Sequence, residues 1–321
     1  MTTANVEPQR RPIVIAHRGA SGYRPEHTLA SYELAIEQGA DFIEPDVVST
    51  RDGALVARHE NEIGGTTDVA AHPEFANRRT TKVVDGVALT GWFTEDFTLD
   101  ELRTLRARER LPELRPGNTA FDGQFGIPTL EEIAEVARRE GERRGYPVGL
   151  YPETKHPTYF RSIGLPLEEP VVATLHAAGY RAEDASVFIQ SFEADSLRRL
   201  AGMTSLRLVQ LLSAGPQAAD RTDARALADV ARYARAIGAD KDLVIPRDSA
   251  GNLLGPSPLV KDAHAAGLLV HAWTFRAEQT FLPPNVPDAA AEYAVFYATG
   301  LDGVFTDQPD LAVAARARSS R

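Results

Sequence analysis

The 321-residue chain contains no cysteine, and this absence removes several kinds of site at once. Without thiols the chain can form neither disulfides nor thiolate zinc centres. Any metal ion must therefore be bound by oxygen or imidazole ligands.

Long hydrophobic runs are also missing. No apolar run reaches the about 20 residues that a membrane-spanning helix requires, so we expect no stable membrane insertion. The segment Met1 to Arg11 lacks the apolar core of a secretory signal peptide. These features predict a cytoplasmic protein, with export as the alternative if a leader is missing from this chain.

Positive charge is in deficit. The net charge of −10 gives no electrostatic reason to expect a nucleic-acid partner. The hydrophobic share of 43% and the charged share of 25% are typical of a globular protein. The length would accommodate two average domains, but it also suits one α/β barrel, and we predict a single domain over residues 1–321.

Short apolar runs alternate with helical patterns along the chain, and several runs are apolar on both faces, as buried parallel strands are. Helices are indicated at Thr28–Gln38, with Thr28 as N-cap and Gly39 at the C-terminal end, and after the capping box that begins at Thr129. Eight strands are predicted: Ile13–His17, Phe42–Val48, Val148–Glu153, Val187–Phe192, Leu206–Leu212, Leu243–Pro246, Leu268–Phe275 and Gly303–Thr306.

Eight strands with interleaved helices predict an α/β fold of the (β/α)8 TIM-barrel type. The alternative is a doubly wound sheet, but no Gly-x-Gly-x-x-Gly motif follows any predicted strand. After strand two, an Asp52-Gly53 turn predicts a hairpin with Ala54–His59. The following segment, about residues 60–125, is too long for an ordinary loop, and we interpret it as a cap subdomain over the substrate.

Two histidines and a group of carboxylates carry most of the chemical information. Glu44 and Asp46 are two residues apart and share one face of a strand, and Glu153 shares a face with Lys155. In a closed barrel these faces converge at one mouth, where three carboxylates would repel one another unless a cation joined them. Oxygen ligands favour a hard divalent cation, for which we predict Ca²⁺, with Mg²⁺ as the alternative.

His17 and His59 both follow predicted strands near these carboxylates. One imidazole can accept a proton and the other can donate one, as metal-assisted phosphoryl transfer requires. Arg18 and Lys155 are candidates to bind a phosphate, and the ring of Trp273 could pack against a small polyol.

The remaining histidines receive less weight. His271 shares a face with Trp273 but lies deeper, which favours a core histidine. His27 precedes a helix, and two alternatives are open for it: a position near the site or a role in the loop. The others are expected at the rim (His72 and His156) or on outer helices (His176 and His264).

These residues resemble the glycerophosphodiester phosphodiesterase family in sequence and in order. The resemblance spans nearly the whole chain, and the long insertion with Thr67-Asp68-Val69 is similar to the periplasmic, calcium-using branch. The motifs are His17-Arg18-Gly19, Pro25-Glu26-His27-Thr28, Gly39-Ala40-Asp41, Glu44-x-Asp46, Thr50-Arg51-Asp52-Gly53, His59, Tyr151-Pro152-Glu153-Thr154-Lys155, Gln190-Ser191-Phe192, Trp273-Thr274 and Gly303-Val304-Phe305-Thr306-Asp307-Gln308-Pro309.

The resemblance implies a barrel hydrolase that cleaves glycerophosphodiesters to sn-glycerol 3-phosphate and an alcohol. It implies His17 as general base, His59 as general acid, and a cyclic phosphate formed by the substrate's own glycerol hydroxyl. The remaining implied roles are cation binding by Glu44, Asp46 and Glu153, and phosphate contacts from Arg18 and Lys155.

One segment departs from the family pattern. Members commonly carry an Asp-Arg pair shortly after the second histidine, whereas this chain has Glu60 to Thr66 without an arginine. Head-group preference is therefore open. The alternatives are a phosphodiesterase for lysophospholipid or sphingolipid head groups, and a barrel that binds ligands without turnover.

Overall fold

The computed structural model describes residues 11–216 and 218–319. The predicted absence of a leader concerns residues 1–10, which lie outside the described residues. None of the helices in the described part of the chain is long and apolar enough to cross a membrane.

The strands are β1 (Ile13–His17), β2 (Phe42–Glu44), β3 (Asp46–Ser49), β4 (Leu55–Ala57), β5 (Thr80–Val84), β6 (Val87–Gly91), β7 (Gly149–Leu150), β8 (Glu153–Thr154), β9 (Phe188–Ser191), β10 (Arg207–Leu212), β11 (Ala236–Asp240), β12 (Leu269–Phe275) and β13 (Gly303–Thr306). The α-helices are α1 (Leu29–Glu37), α2 (Leu99–Leu102), α3 (Leu130–Arg144), α4 (Pro157–Ser162), α5 (Glu168–Ala177), α6 (Ala194–Ala201), α7 (Ala218–Thr222), α8 (Ala224–Val230), α9 (Lys241–Val244), α10 (Leu259–Ala265), α11 (Ala289–Tyr297) and α12 (Pro309–Ser319).

The large sheet closes on itself. Its hydrogen-bonded order is β4-β3-β8-β9-β10-β11-β12-β13-β1-β2-β7. Two barrel strands are each divided in two by a proline, which has no N–H to donate: Pro45 separates β2 from β3, and Pro152 separates β7 from β8. The segments β2 and β3 thus form one barrel strand, and β7 and β8 form the next. At one end of the order β2 pairs with β7, and at the other end β3 pairs with β8, so both ends consist of the same two barrel strands. The predicted TIM barrel is confirmed.

The predicted sixth strand at Leu243–Pro246 is wrong. Leu243 lies in the short helix α9, and the sixth barrel strand is β11, whose sequence Ala-Ile-Gly-Ala-Asp has little apolar bulk. Small residues are needed here because β10 packs closely. A Cβ at Gly238 would lie 2.4 Å from Cδ2 of Leu211. This crowding is a tertiary effect that a search for apolar runs misses.

The predicted helix ends and the predicted hairpin turn agree with the structure. Thr28 caps α1 by accepting a hydrogen bond from the Ser31 amide, and Gly39 follows the helix with a φ of +91°. At α3 the Thr129 side chain accepts from the Glu132 amide while the Glu132 carboxylate accepts from the Thr129 amide. The predicted hairpin is also confirmed, since β4 pairs antiparallel with β3.

The segment between β4 and α3 has its own secondary structure. It contains 3-10 turns, α2, and a separate two-stranded hairpin of β5 and β6. Asp85 and Gly86 both have positive φ at the hairpin turn, as a type I′ turn requires. Its interpretation as a cap stays a prediction.

Two apolar cores result from the alternation of side chains along the barrel strands. One fills the space between the barrel and its surrounding helices. The other fills the barrel interior and consists of Ile15, Phe42, Tyr151, Phe188, Val209, Ala236 and Phe305. We call this second set the lower layer.

Candidate active site

The carboxyl ends of the barrel strands surround a cavity of about 310 Å³. Active sites of TIM barrels form at this end because the strand ends and following loops converge there. All eight residues predicted for the site line the cavity: His17, Arg18, Glu44, Asp46, His59, Glu153, Lys155 and Trp273. Residues from four different barrel strands and the β4 hairpin are thus brought together.

The three predicted metal ligands form one buried cluster. Carboxylate oxygens of Glu44, Asp46 and Glu153 lie within 4.8 Å of one another. Glu44 is held by the Arg18 amide at 2.8 Å and by the Gln190 side-chain amide at 3.0 Å. This cluster could hold a cation, because hard divalent ions prefer carboxylate oxygens.

Burial and mutual repulsion dominate the electrostatics of this cluster. Burial, Asp46 and Glu153 together raise the pKa of Glu44 well above its usual range. Burial likewise raises the pKa of Glu153 to about 8, although the Lys155 ammonium opposes the rise. Burial also disfavours the charge on Asp46, but Lys155 and the hydrogen bond with His27 hold its pKa well below normal.

His17 is oriented by a buried carboxylate. Its Nδ1 lies 2.7 Å from Oδ1 of Asp307, and among the described residues its Nε2 has no hydrogen-bond partner. Burial and the neighbouring Arg18 charge lower the pKa of His17 to about 3, although Asp307 acts in the opposite direction. A neutral imidazole with a free Nε2 can accept a proton.

His59 has a similar but more exposed partner. Its Nδ1 lies 2.8 Å from Oε1 of Glu60, and its Nε2 lies 3.4 Å from Nζ of Lys155. Burial, followed by the charges of Arg18 and Lys155, lowers the pKa of His59 to about 4. The two predicted catalytic histidines therefore each have a carboxylate on Nδ1.

The predicted phosphate-binding cations have fixed positions. Arg18 has a φ of +60°, and its Nη1 lies 2.9 Å from Oε2 of Glu26. Nζ of Lys155 lies 3.0 Å from Oε1 of Glu153, and Glu153 and Asp46 raise the pKa of Lys155 to about 12 against the effect of burial. Both cations remain charged beside the acidic cluster.

Trp273 forms part of the cavity wall. Its Nε1 donates to the Gly238 carbonyl at 2.8 Å, and its ring meets Phe192 edge to face at a centroid distance of 5.8 Å. The ring is therefore held in place. Its contact with a polyol stays a prediction.

The other histidines are distributed mostly as expected. His271 lies in the barrel interior, with Nδ1 2.7 Å from the Tyr151 hydroxyl. His27 proves to be near the site, since its Nε2 lies 2.9 Å from Oδ2 of Asp46. His156 lies beside Glu60 and the hairpin residue Asp85. Away from the cavity are His72, His176 and His264.

The sequence profile of the glycerophosphoryl diester phosphodiesterase family matches residues 17–311. The chain belongs to this family. A glycerophosphodiester phosphodiesterase of Arabidopsis thaliana is 38% identical over 92% of this chain and 84% of its own length. One from Haemophilus influenzae is 31% identical over 97% of this chain and 91% of its own length.

Solved structures of the family share the fold. A phosphodiesterase of Oleispira antarctica, in complex with the product sn-glycerol-3-phosphate, has a TM-score of 0.62. It is 24% identical, and the match covers 95% of this chain and 96% of that one. A glycerophosphodiester phosphodiesterase of Agrobacterium tumefaciens has a TM-score of 0.60 and 20% identity, covering 94% and 99% of the two chains.

Several residues of this family member's site were not singled out from the sequence. Asp307 lies in one of the family motifs without a predicted role, and it contacts His17, Arg115 and Arg276. Gln190 likewise belongs to a motif without a predicted role, and it lines the cavity together with Arg110 and Arg276. The position of Asp307 directly after the last barrel strand is the signal that could have indicated it.

Proposed function

We propose that this chain hydrolyses glycerophosphodiesters to sn-glycerol 3-phosphate and an alcohol. The observation that carries the proposal is that two carboxylate-oriented histidines face the same cavity as three buried carboxylates. The relatives from Arabidopsis thaliana and Haemophilus influenzae are both named glycerophosphodiester phosphodiesterase, which supports the same reaction.

The acidic cluster fits a divalent cation. Oδ2 of Asp46 faces His27 and Arg18, and Oε1 of Glu153 faces Lys155. Within the described ranges, no N–H group donates to the other oxygen of either side chain, which leaves two ligand atoms beside Glu44. A bound Ca²⁺ or Mg²⁺ would supply positive charge to a phosphodiester oxygen. The Ca²⁺ preference and the calcium-using branch are parts of the proposal.

The histidines then divide the proton transfers. Nε2 of His17 takes the proton of the attacking glycerol hydroxyl, and the oxygen forms the new bond to phosphorus. The bond from phosphorus to the leaving alcohol breaks, and His59 gives that oxygen a proton. Water then opens the cyclic phosphate by the reverse transfers, which returns both histidines to their starting states and completes the hydrolysis.

Substrate charge reconciles this role with the low pKa of His59. Arg18 and Lys155 contribute to lowering that pKa to about 4. A bound phosphodiester adds a negative charge beside these two cations, which favours the protonated imidazole. His17, in contrast, is held neutral by burial in the resting site, as a base should be.

The test is release of glycerol 3-phosphate from glycerophosphocholine, glycerophosphoethanolamine or glycerophosphoglycerol, with Ca²⁺ or Mg²⁺ supplied. Chelation should abolish turnover and re-addition of the metal should restore it. Glu153→Gln should raise the metal concentration needed for half activity. Glu131→Gln, at the start of α3 and outside the cavity, makes the same chemical change as a control.

No release of glycerol 3-phosphate with either metal would overturn the proposed reaction. Binding of glycerophosphodiesters without turnover would then indicate a binding barrel. Activity that persists after complete removal of metal would instead overturn the role given to the acidic cluster.

One observation favours a lipid substrate as the second candidate. At the tip of the β5–β6 hairpin the residues Val83 and Val87 are 62% and 57% exposed. The intervening Asp85 contacts His156, which contacts Glu60 beside His59. Apolar side chains near a site can enter a lipid surface. A preference for liposomes over soluble glycerophosphodiesters would favour this candidate.

A cytoplasmic location is also proposed. Fractionation of the source cells, followed by detection of the chain in each fraction, tests it. Recovery from an extracytoplasmic fraction would overturn that location.

A further inference from the structure

Two of the three cavity arginines have no role in the proposed phosphate binding or proton transfers. Arg110 belongs to the long segment between β4 and α3, and Arg276 directly follows β12. Both line the cavity of about 310 Å³. They reach it from different parts of the chain, and each is held by a buried carboxylate.

Each guanidinium is held through its Nε atom. Nε of Arg110 lies 2.7 Å from Oε2 of Glu26, and Nε of Arg276 lies 3.0 Å from Oδ2 of Asp307. Both carboxylates are almost completely buried. Within residues 11–216 and 218–319, no hydrogen bond uses the terminal Nη atoms of either arginine.

This arrangement leaves the terminal Nη atoms of both arginines available to bind an anion. A planar guanidinium can donate several N–H groups to a carboxylate or phosphate in a fixed geometry. The side chains of Arg110 and Arg276 are 32% and 22% exposed, so a ligand can reach them while solvent screening is reduced.

A cationic head group would find less favourable surroundings. Quaternary ammonium groups are bound by aromatic rings. Of the rings that line the cavity, Phe192 already has Nζ of Lys155 at 5.9 Å from its centroid, and Phe192 in turn packs on Trp273. A second cation at this wall would be repelled by the Lys155 ammonium.

We propose that Arg110 and Arg276 form an anion subsite that binds a second acidic group on the leaving alcohol of the substrate. This inference rests on the proposed function. It names the substrate class as glycerophosphodiesters with an acidic head group. It gives a substrate-binding role to two arginines outside Glu60 to Thr66, the stretch that lacks an arginine.

The test compares two substrates that differ by one phosphate, glycerophosphoglycerol and its terminal phosphate monoester. We expect the phosphorylated substrate to have the higher kcat/KM. Arg110→Gln should lower the ratio of the two kcat/KM values about five- to tenfold, because a partly screened charged hydrogen bond is lost. The ratio is the readout, so a general loss of activity does not affect it.

Arg108→Gln is the matched control. Arg108 lies on the same segment and does not line the cavity, and its Nε faces Asp122 at 3.8 Å. This variant changes the net charge equally and should leave the ratio unchanged. Arg276→Gln gives a second measurement, although its partner Asp307 also contacts His17.

Equal kcat/KM values for the two substrates in the native protein would overturn the subsite. An unchanged ratio in both arginine variants would also overturn it and would place these arginines on the phosphodiester itself. Calorimetry with His17→Ala separates this inference from the reaction. Tighter binding of the phosphorylated compound that is lost with Arg110→Gln supports the subsite even if the native protein hydrolyses neither compound.

Discussion

The barrel interior has two layers on the same strands with opposite chemistry. The lower layer includes Ile15, Phe42 and Tyr151. Two residues further along the same strands are His17, Glu44 and Glu153, which point to the same side because side chains alternate. We call these three, together with Gln190 above Phe188, the upper layer.

The difference between the layers explains the electrostatics of the site. The lower layer is a packed apolar block in which Tyr151 stacks on Phe188 at a centroid distance of 5.0 Å. It excludes water from below the polar groups, so each charge of the upper layer has to be compensated by neighbours. Burial is accordingly the largest influence on the pKa of His17, Glu44 and Glu153.

The largest expected effect comes from removing a histidine of the upper layer. His17→Ala should lower kcat about 10³-fold while the protein stays folded, because the proposed general base is lost. Steady-state hydrolysis of glycerophosphoglycerol measures this effect. His176→Ala, on α5 and outside the cavity, is the histidine control. Unchanged hydrolysis by His17→Ala would show that the proposed mechanism is wrong.

Substitutions in the lower layer should instead change the stability of the protein. Phe188→Ala should lower the free energy of unfolding by about 3–4 kcal/mol, because it removes a buried ring and leaves a cavity. Urea denaturation measures the loss. Phe188→Leu keeps most of the volume and should cost less than about 1.5 kcal/mol. Equal stability of the native protein and Phe188→Ala would contradict the role of this layer.

His271 is a buried histidine below the site, and we expect it to affect the free energy of unfolding rather than the reaction. Burial lowers its pKa to about 4 in the folded protein, against an ordinary value of 6.5. Between these values the unfolded chain binds a proton that the folded protein does not, so stability falls as the pH falls. Protonation of this histidine in the unfolded chain should lower the free energy of unfolding by about 2 kcal/mol between pH 7 and pH 5.

Unfolding free energies at pH 7 and pH 5 should therefore differ less in His271→Gln than in the native protein. The glutamine retains a polar partner for the Tyr151 hydroxyl. His176→Gln provides the control for loss of a histidine elsewhere. The same pH dependence in the native protein and His271→Gln would rule out this contribution.

The two carboxylate partners within the site offer a finer comparison. Asp307 is 1% exposed beside His17, whereas Glu60 is 44% exposed beside His59. Glu60→Gln should lower kcat about tenfold, since the weaker partner only orients the acid and raises its pKa. Its removal lowers the pKa of His59, so the loss of activity with rising pH should begin at a lower pH.

A pH profile of kcat with soluble substrate measures both effects. Asp307→Asn should cause a larger loss than Glu60→Gln, because its carboxylate is buried and also holds Arg115 and Arg276. Equal losses in the two variants would contradict the distinction between a buried and an exposed partner.

Much of the site was predictable from local pattern. The spacing of Glu44 and Asp46, and that of Glu153 and Lys155, placed each pair on one strand face, and the structure brings both pairs to one cavity. The capping box at Thr129 and the Asp52-Gly53 turn likewise depend on neighbours within a few residues. Such features are encoded locally, so the sequence alone determines them.

The remaining contacts of the site depend on closure of the barrel. Asp307 is 290 residues from His17 along the chain, and it reaches Nδ1 because β13 pairs with β1. The sixth strand depends on close packing against β10 rather than on apolar bulk. The sequence by itself therefore determined the alternating strands, the two histidines and the two same-face pairs that supply the acidic cluster. Only the tertiary structure decided which carboxylates orient those histidines and which arginines line the cavity, because these contacts join residues far apart in the chain.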